Sequence, residues 1–337
     1  MNFAKIGKIS MTCLSFSFLC TISDCALSCS KNEEKSTDAK EINSKNISSG
    51  CYRYDFSSLA GGERNFLISM PKNFSGDQEY KLVFVFSGTG STSRDTKEFI
   101  GDMWPNHRVG LEQGMQDTVF IYPDAKERFF EDWGMNRGWL LGKNSPGEKG
   151  RPSDSKMEDI NFVNELFEFI SKKIKIKKDG IFATGHSWGG DMTSVVACFS
   201  SVPFRAIAPV AANQPFWFKR KDGGYEKCPT STEVWIWFGK DDEYFEDLEK
   251  KSAAKNNSDP RGYFGRLQAE FWKKNNDCTS STNVWSPYGS TINYKCSHHP
   301  ILLTIYPSNS TSITNYPGHQ PPDDFPKIIA KWFESIK

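Results

Sequence analysis

Residues 185–189 read Gly-His-Ser-Trp-Gly, with a further glycine at 190. A serine hydroxyl is a weak nucleophile until a histidine takes its proton, and that histidine needs a carboxylate to hold its tautomer. Partners for Ser187 must therefore exist elsewhere in the chain, which has five histidines. His107 precedes the serine, and His186, its neighbour, is expected to point elsewhere at a sharp turn. His298 and His299 stand just before the apolar run 301–307, and a metal pair there lacks convincing partners. His319 follows that run and is the expected base. For the acid, Asp241 and Asp242 both follow the run 233–239, with Glu243, Glu246 and Asp247 close behind, and the spacing leaves the choice open. The developing negative charge needs two backbone donors. The amide of Trp188, next to the serine, is one. The other is expected from the small-residue loop Phe-Ser-Gly-Thr-Gly-Ser-Thr (86–92), at Thr89. This loop completes neither G-x-x-x-x-G-K-[ST] nor G-x-G-x-x-G, so it does not read as a phosphate cradle. No metal and no organic cofactor is expected.

These groups must be held by a rigid frame. The apolar run 180–185 ends at the serine motif, and a helical pattern, 191–200, follows it. A strand that turns sharply into a helix puts the serine at the apex, where residues two before and two after it have no room for side chains. Gly185 and Gly189 meet that demand, and Gly190 lets the helix lie close to the sheet. Elsewhere, nearly continuous apolar runs at 81–88, 117–124, 205–212, 233–239 and 301–307 read as strands buried on both faces. Between them, Ile160, Val163, Phe167, Ile170 and Ile174 recur at helical spacing, and 266–275 and 325–337 are further helices. Such alternation predicts a mostly parallel sheet flanked by helices, of the α/β-hydrolase type. In that arrangement the serine, acid and base each lie beyond the carboxyl end of a strand.

Composition sets outer bounds. The formal net charge of +1 gives no electrostatic case for nucleic acid. Aromatics make up 14% of residues and serve either a large core or flat ligands. Residues 1–28, with Lys5 and Lys8 before an uncharged run, read as a secretion signal too short to span a membrane comfortably. Cys29 offers a lipid-anchoring alternative, weakened by Ala26 three places before it. Residues 29–50 are almost devoid of apolar side chains and read as a flexible linker, leaving 51–337 as one catalytic domain. Export favours paired cysteines, and Cys51, Cys198, Cys228, Cys278 and Cys296 remain after the leader. Asn46, Asn73, Asn256 and Asn309 lie in glycosylation sequons.

From Cys51 onward the chain resembles secreted feruloyl and acetylxylan esterases, which are related to extracellular polyhydroxybutyrate depolymerases. The likeness rests on "KLVFVFSGTG", "FIYPDA", "MEDINFVNELFEFI", "IFATGHSWGGDM", "FGKDD", "FWKKNNDC", "INYKC" and "PGHQPP", in that order. It implies Ser187 as nucleophile, His319 as base and Asp242, rather than Asp241, as acid. Two departures stand out: Ser87 and Phe238 occupy positions where the family usually has histidine. The resemblance also implies disulfides Cys51–Cys228 and Cys278–Cys296, with Cys198 left as a buried free thiol. It implies an ester substrate, feruloylated or acetylated xylan first, on a secreted monomer with no membrane span. Trp139 and Trp188, with Trp133, are candidates to line the substrate cleft. The rival readings are a polyester depolymerase using the same triad and a non-catalytic carbohydrate-binding relative.

Overall fold

The computed structural model describes residues 36–38, 48–59, 62–102, 109–130, 134–141, 157–213, 216–220, 222, 224–308 and 317–336. The expected signal peptide, most of the linker, His107, Trp133, Asn46 and Asn309 lie outside them.

The chain begins with β1 (Ser36–Asp38), β2 (Gly50–Ser58), β3 (Gly62–Met70) and β4 (Tyr80–Phe86). A short helix α1 (Ser93–Thr96) runs into a π-helical turn, Lys97–Gly101, and α2 (Leu111–Gly114) follows. Next come β5 (Thr118–Pro123), the hairpin β6 (Glu127–Phe130) and β7 (Gly134–Arg137), α3 (Glu158–Ser171), β8 (Ile176–His186) and α4 (Trp188–Phe199). The second half holds β9 (Ala206–Val210), β10 (Glu233–Gly239), α5 (Glu246–Ala254) and α6 (Tyr263–Asn275). The chain closes with β11 (Cys278–Ser286), β12 (Gly289–Cys296), β13 (Ile301–Tyr306) and α7 (Phe325–Ser335).

One 11-stranded sheet takes the order β1-β2-β3-β5-β4-β8-β9-β10-β13-β12-β11. From β5 to β13 every neighbouring pair is parallel. Antiparallel strands β2 and β3 extend one edge, and β12 and β11 the other. Within the segment expected to be a tether, β1 pairs in parallel with Arg53–Asp55 of β2. Ladder bonds of this kind use only the backbone and need no apolar side chain.

Strand β4 shows why the central runs are apolar without alternation. Leu82, Phe84 and Phe86 enter the core beneath α3, α4 and α6, with Ile160, Met192 and Ala269. Val83 and Val85 face the opposite core, with Leu111, Phe325, Ile329 and Phe333 from α2 and α7. A strand covered on both faces has no polar side. The sequon residue Asn73 is exposed, while Asn256 donates its side-chain amide to the Tyr263 hydroxyl at 2.7 Å.

The cysteine pairing differs from the expected one. Cys198, at the end of α4, is bonded to Cys228, with Cα atoms 4.7 Å apart, so it is not a free thiol. Both belong to the core on the α4 side of the sheet, whereas Cys51 packs against the opposite core. A disulfide cannot reach through a sheet, so a Cys51–Cys228 bridge is ruled out. Cys51 is disulfide-bonded too, but not to any of the other four. The structure pairs Cys278 with Cys296, which face each other at the open end of the β11–β12 hairpin. The Cys198–Cys228 bridge closes a 30-residue separation. Converting both cysteines to alanine is expected to lower stability by about 3–4 kcal/mol, chiefly by freeing the unfolded chain. Urea unfolding under non-reducing conditions checks this, and an unchanged midpoint contradicts it.

Candidate active site

Ser187 stands between β8 and α4 with φ 57° and ψ −123°, a conformation that side-chain-bearing residues rarely adopt. The surroundings force it there. A Cβ on Gly189 would lie 2.1 Å from the Phe86 carbonyl oxygen, and one on Gly185 would lie 2.4 Å from that of Gly189. The Ser187 amide donates to the Val210 carbonyl, while its own carbonyl accepts from the amides of Gly190 and Asp191. The side chain is thereby presented at the carboxyl edge of the sheet.

Asp242 follows β10 and His319 follows β13, so all three side chains rise from the same edge. His319 Nδ1 donates to Asp242 Oδ2 at 2.9 Å. Its Nε2 lies 2.9 Å from Ser187 Oγ, as acceptor of the hydroxyl proton. Asp242 is buried, and its Oδ1 accepts from the amides of Tyr244 and Phe245. Asp241 is exposed and lies outside this arrangement. The loops that carry Asp242 and His319 meet backbone to backbone: the Glu243 amide donates to the Pro317 carbonyl at 3.0 Å. A Cβ on Gly318, at φ 79°, would lie 2.1 Å from the Asp241 carbonyl oxygen. His298 and His299 lie at the opposite edge, ahead of β13, where His299 approaches Arg205 and Glu233.

A cavity of about 330 Å³ opens above Ser187. Thr89, Phe99, Ile100, His186, Tyr244 and His319 are among its lining residues. The two tryptophans expected to line it do not. Trp139 is fully buried, and its indole N–H donates to the Ser87 carbonyl at 2.8 Å. Trp188 is also buried, its indole N–H donating to the Trp139 carbonyl at 2.8 Å. Each ring's polar edge is taken up by backbone, and neither ring lines the cavity. Sequence reasoning missed the aromatics that do. Tyr244, two residues after Asp242, packs 4.8 Å from the His319 ring. Phe99 sits on the π-helical turn, which no spacing pattern announces.

His186 does not point away as expected. Its Nε2 donates to the His319 carbonyl at 2.9 Å, and the two rings lie 4.9 Å apart. Burial and the adjacent His319 push its pKa down to about 3, so it is a neutral neighbour. Behind the triad, buried Glu249 of α5 accepts from the Phe264 amide at 2.7 Å. Burial, with a smaller push from Asp242, raises its pKa to about 8. Under the cavity's α1 wall, buried Lys97 pairs with Asp102 at 2.8 Å and Glu112 at 3.0 Å. Burial works against that charge, but Glu112 and Asp102 outweigh it and hold the pKa above the ordinary lysine range.

A mostly parallel sheet flanked by helices, with Ser187, Asp242 and His319 at its carboxyl edge, is the α/β-hydrolase fold. The acetyl xylan esterase of Aspergillus awamori shares it, with a TM-score of 0.51 over 80% of this chain and 94% of that one, at 12% identity. Residues 57–322 match the family model Esterase, described as "Putative esterase". The chain belongs to this esterase family. Curated relatives include feruloyl esterase D of Neurospora crassa, 23% identical over 160 residues, or 46% of this chain and 48% of that protein. Feruloyl esterase C of Emericella nidulans is 26% identical over 149 residues, 43% of this chain and 45% of that protein. The chain spans about half the length of these curated relatives.

Glu249 makes the region sensitive to pH. The folded protein holds its proton more tightly than the unfolded chain does, for which the pKa is 4.5. Its stabilising contribution is therefore complete below pH 4.5 and is lost as pH rises towards about 8. Glu249→Gln keeps the acceptor for Phe264 and is expected to remove that loss. Its stability relative to wild type should grow across this window by up to about 1.4 kcal/mol per pH unit. Urea unfolding at pH 5 and pH 8 measures it, and parallel pH dependences in the two proteins contradict it.

Proposed function

We propose that the protein is a secreted serine carboxylic-ester hydrolase acting on feruloyl or acetyl esters of plant cell-wall xylan. The observation that carries the reading is His319, 2.9 Å from Ser187 Oγ through one ring nitrogen and 2.9 Å from Asp242 through the other. In the first step His319 Nε2 takes the Ser187 proton, and Oγ attacks the ester carbonyl. The amides of Thr89 and Trp188 receive the oxyanion. Collapse of the tetrahedral intermediate breaks the ester C–O bond, and the imidazolium returns its proton to the leaving alcohol. Water, deprotonated by the same nitrogen, then adds to the acyl-enzyme and releases the acid and free Ser187. Asp242 holds Nδ1–H throughout and stabilises the imidazolium.

The aromatic wall of Phe99 and Tyr244 supports a flat acyl group, and the names of the curated relatives point the same way. Paired cysteines and the leader-like first residues support export. Fluorophosphonate is expected to label wild type and not Ser187→Ala. Ser187→Ala and His319→Ala should each lose about 10³–10⁶-fold in kcat on methyl ferulate or acetylated xylan. Full activity in His319→Ala would show that the base is misassigned. Turnover of polyester granules without turnover of either plant-type ester would replace the substrate class.

A further inference from the structure

The segment joining β7 towards α3, residues 137–140, touches both sides of the proposed oxyanion hole. On one side it grips the loop that carries Thr89 at two points flanking that residue. The Gly90 amide donates to the Arg137 carbonyl at 2.9 Å, and the Trp139 indole donates to the Ser87 carbonyl at 2.8 Å. On the other side, the Trp139 carbonyl accepts the indole N–H of Trp188, the residue whose amide is the second proposed donor. Trp139 is thus bonded through its side chain to one half of the hole and through its backbone to the other.

The strap is itself fixed from behind. Asp159, buried in the first turn of α3, accepts the Leu140 amide on Oδ2 at 2.6 Å. Its Oδ1 accepts from Arg64 at 2.7 Å and from Arg128 at 3.0 Å. Arg128 also donates to the Gly138 carbonyl at 2.8 Å. Arg64 and Arg128 are both buried, and a buried charge cluster with its bonds filled resists displacement.

We infer that Trp139 is a positioning residue that sets the spacing between the two oxyanion donors, with Asp159 anchoring the strap that carries it. The inference rests on the acyl-transfer reading above. A hole helps the reaction only if its donors are already aimed at the place where charge develops, and displacements near 1 Å can cost about 10²-fold in rate. Neither tryptophan lines the cavity above Ser187, so losing the bond should leave ground-state binding alone.

Trp139→Phe removes the indole donor and keeps an aromatic ring against Phe86. It is expected to lower kcat about 10–10²-fold with KM within about twofold. Affinity for an arylboronic acid, whose tetrahedral adduct on Ser187 places an anionic oxygen in the hole, should fall by a similar factor. Affinity for the free carboxylic acid product should not. If Trp139→Phe does not fold, Trp188→Phe severs the other indole bond while keeping the Trp188 amide, and the same constants are measured. A folded variant with kcat and boronate affinity within twofold of wild type overturns the inference, as does a kcat loss with unchanged boronate affinity. Ser187→Ala separates the two levels: if it keeps activity and still takes the fluorophosphonate label, the acyl-transfer reading has failed, rather than the strap.

Discussion

The site depends on backbone packed directly against backbone. At Gly189 the start of α4 lies under the Phe86 carbonyl, and at Gly318 the base loop lies on the Asp241 carbonyl, with no space for a methyl group at either place. The first contact holds Ser187 in a conformation that costs about 1–3 kcal/mol, so the strain is held by tight neighbours rather than relaxed. The second draws two loops from different strands together until the His319 imidazole donates its Nδ1 proton to the Asp242 carboxylate. Neither contact involves a side-chain atom of Ser187, Asp242 or His319. They define the triad because β8, β10 and β13 are neighbours or near-neighbours in one sheet and end at the same edge.

Electrostatics refine what packing sets up. The triad is surrounded by groups whose charge is suppressed or locked. His186, one residue before Ser187, is held neutral well below ordinary histidine pKa values and holds the His319 carbonyl as an uncharged donor. Glu249 keeps its proton through most of the neutral range and places little negative charge behind Asp242. Asp191, in the first turn of α4, is pushed far above the usual carboxylate range by burial, against hydrogen bonds from Asn213 and Trp217. Two buried ion clusters, Asp159 with Arg64 and Arg128 and Lys97 with Asp102 and Glu112, keep their charges paired and act on structure.

Much of this was legible in the residues. Ser187 was marked by glycines that only a crowded strand–turn–helix needs, and His319 by its place after the last strand. The two-face burial of the sheet showed in runs such as Leu82–Phe86, which lack polar alternation. Other features were not legible, for physical reasons. Trp139 and Trp188 look like cleft residues by position, but an indole N–H satisfies a carbonyl as readily as it meets a ligand, and only coordinates tell which. The cysteine pairs depend on which face of the sheet each thiol occupies, and Cys51 lies on the face opposite Cys198 and Cys228. The segment Lys97–Gly101 has no pattern that separates a π turn from an α turn. His186 escaped because adjacency to the serine suggests divergence, whereas its ring turns back onto the base.

The proposed function separates chemistry from recognition. Ser187, Asp242 and His319 rise from the ends of central strands. The walls that a substrate would meet come instead from α1 with its π-helical turn, through Phe99 and Ile100, and from the acid loop, through Tyr244. The first wall has its own foundation. Lys97 is buried beneath it, bound to Asp102 and Glu112, and Glu112 also accepts the hydroxyls of Ser69 and Tyr122. Removing one partner from such a cluster is costly, while a change at the half-buried Phe99 leaves it intact. The wall can therefore vary in shape at Phe99 and Tyr244 on a fixed base, without disturbing the arrangement of Ser187, His319 and Asp242.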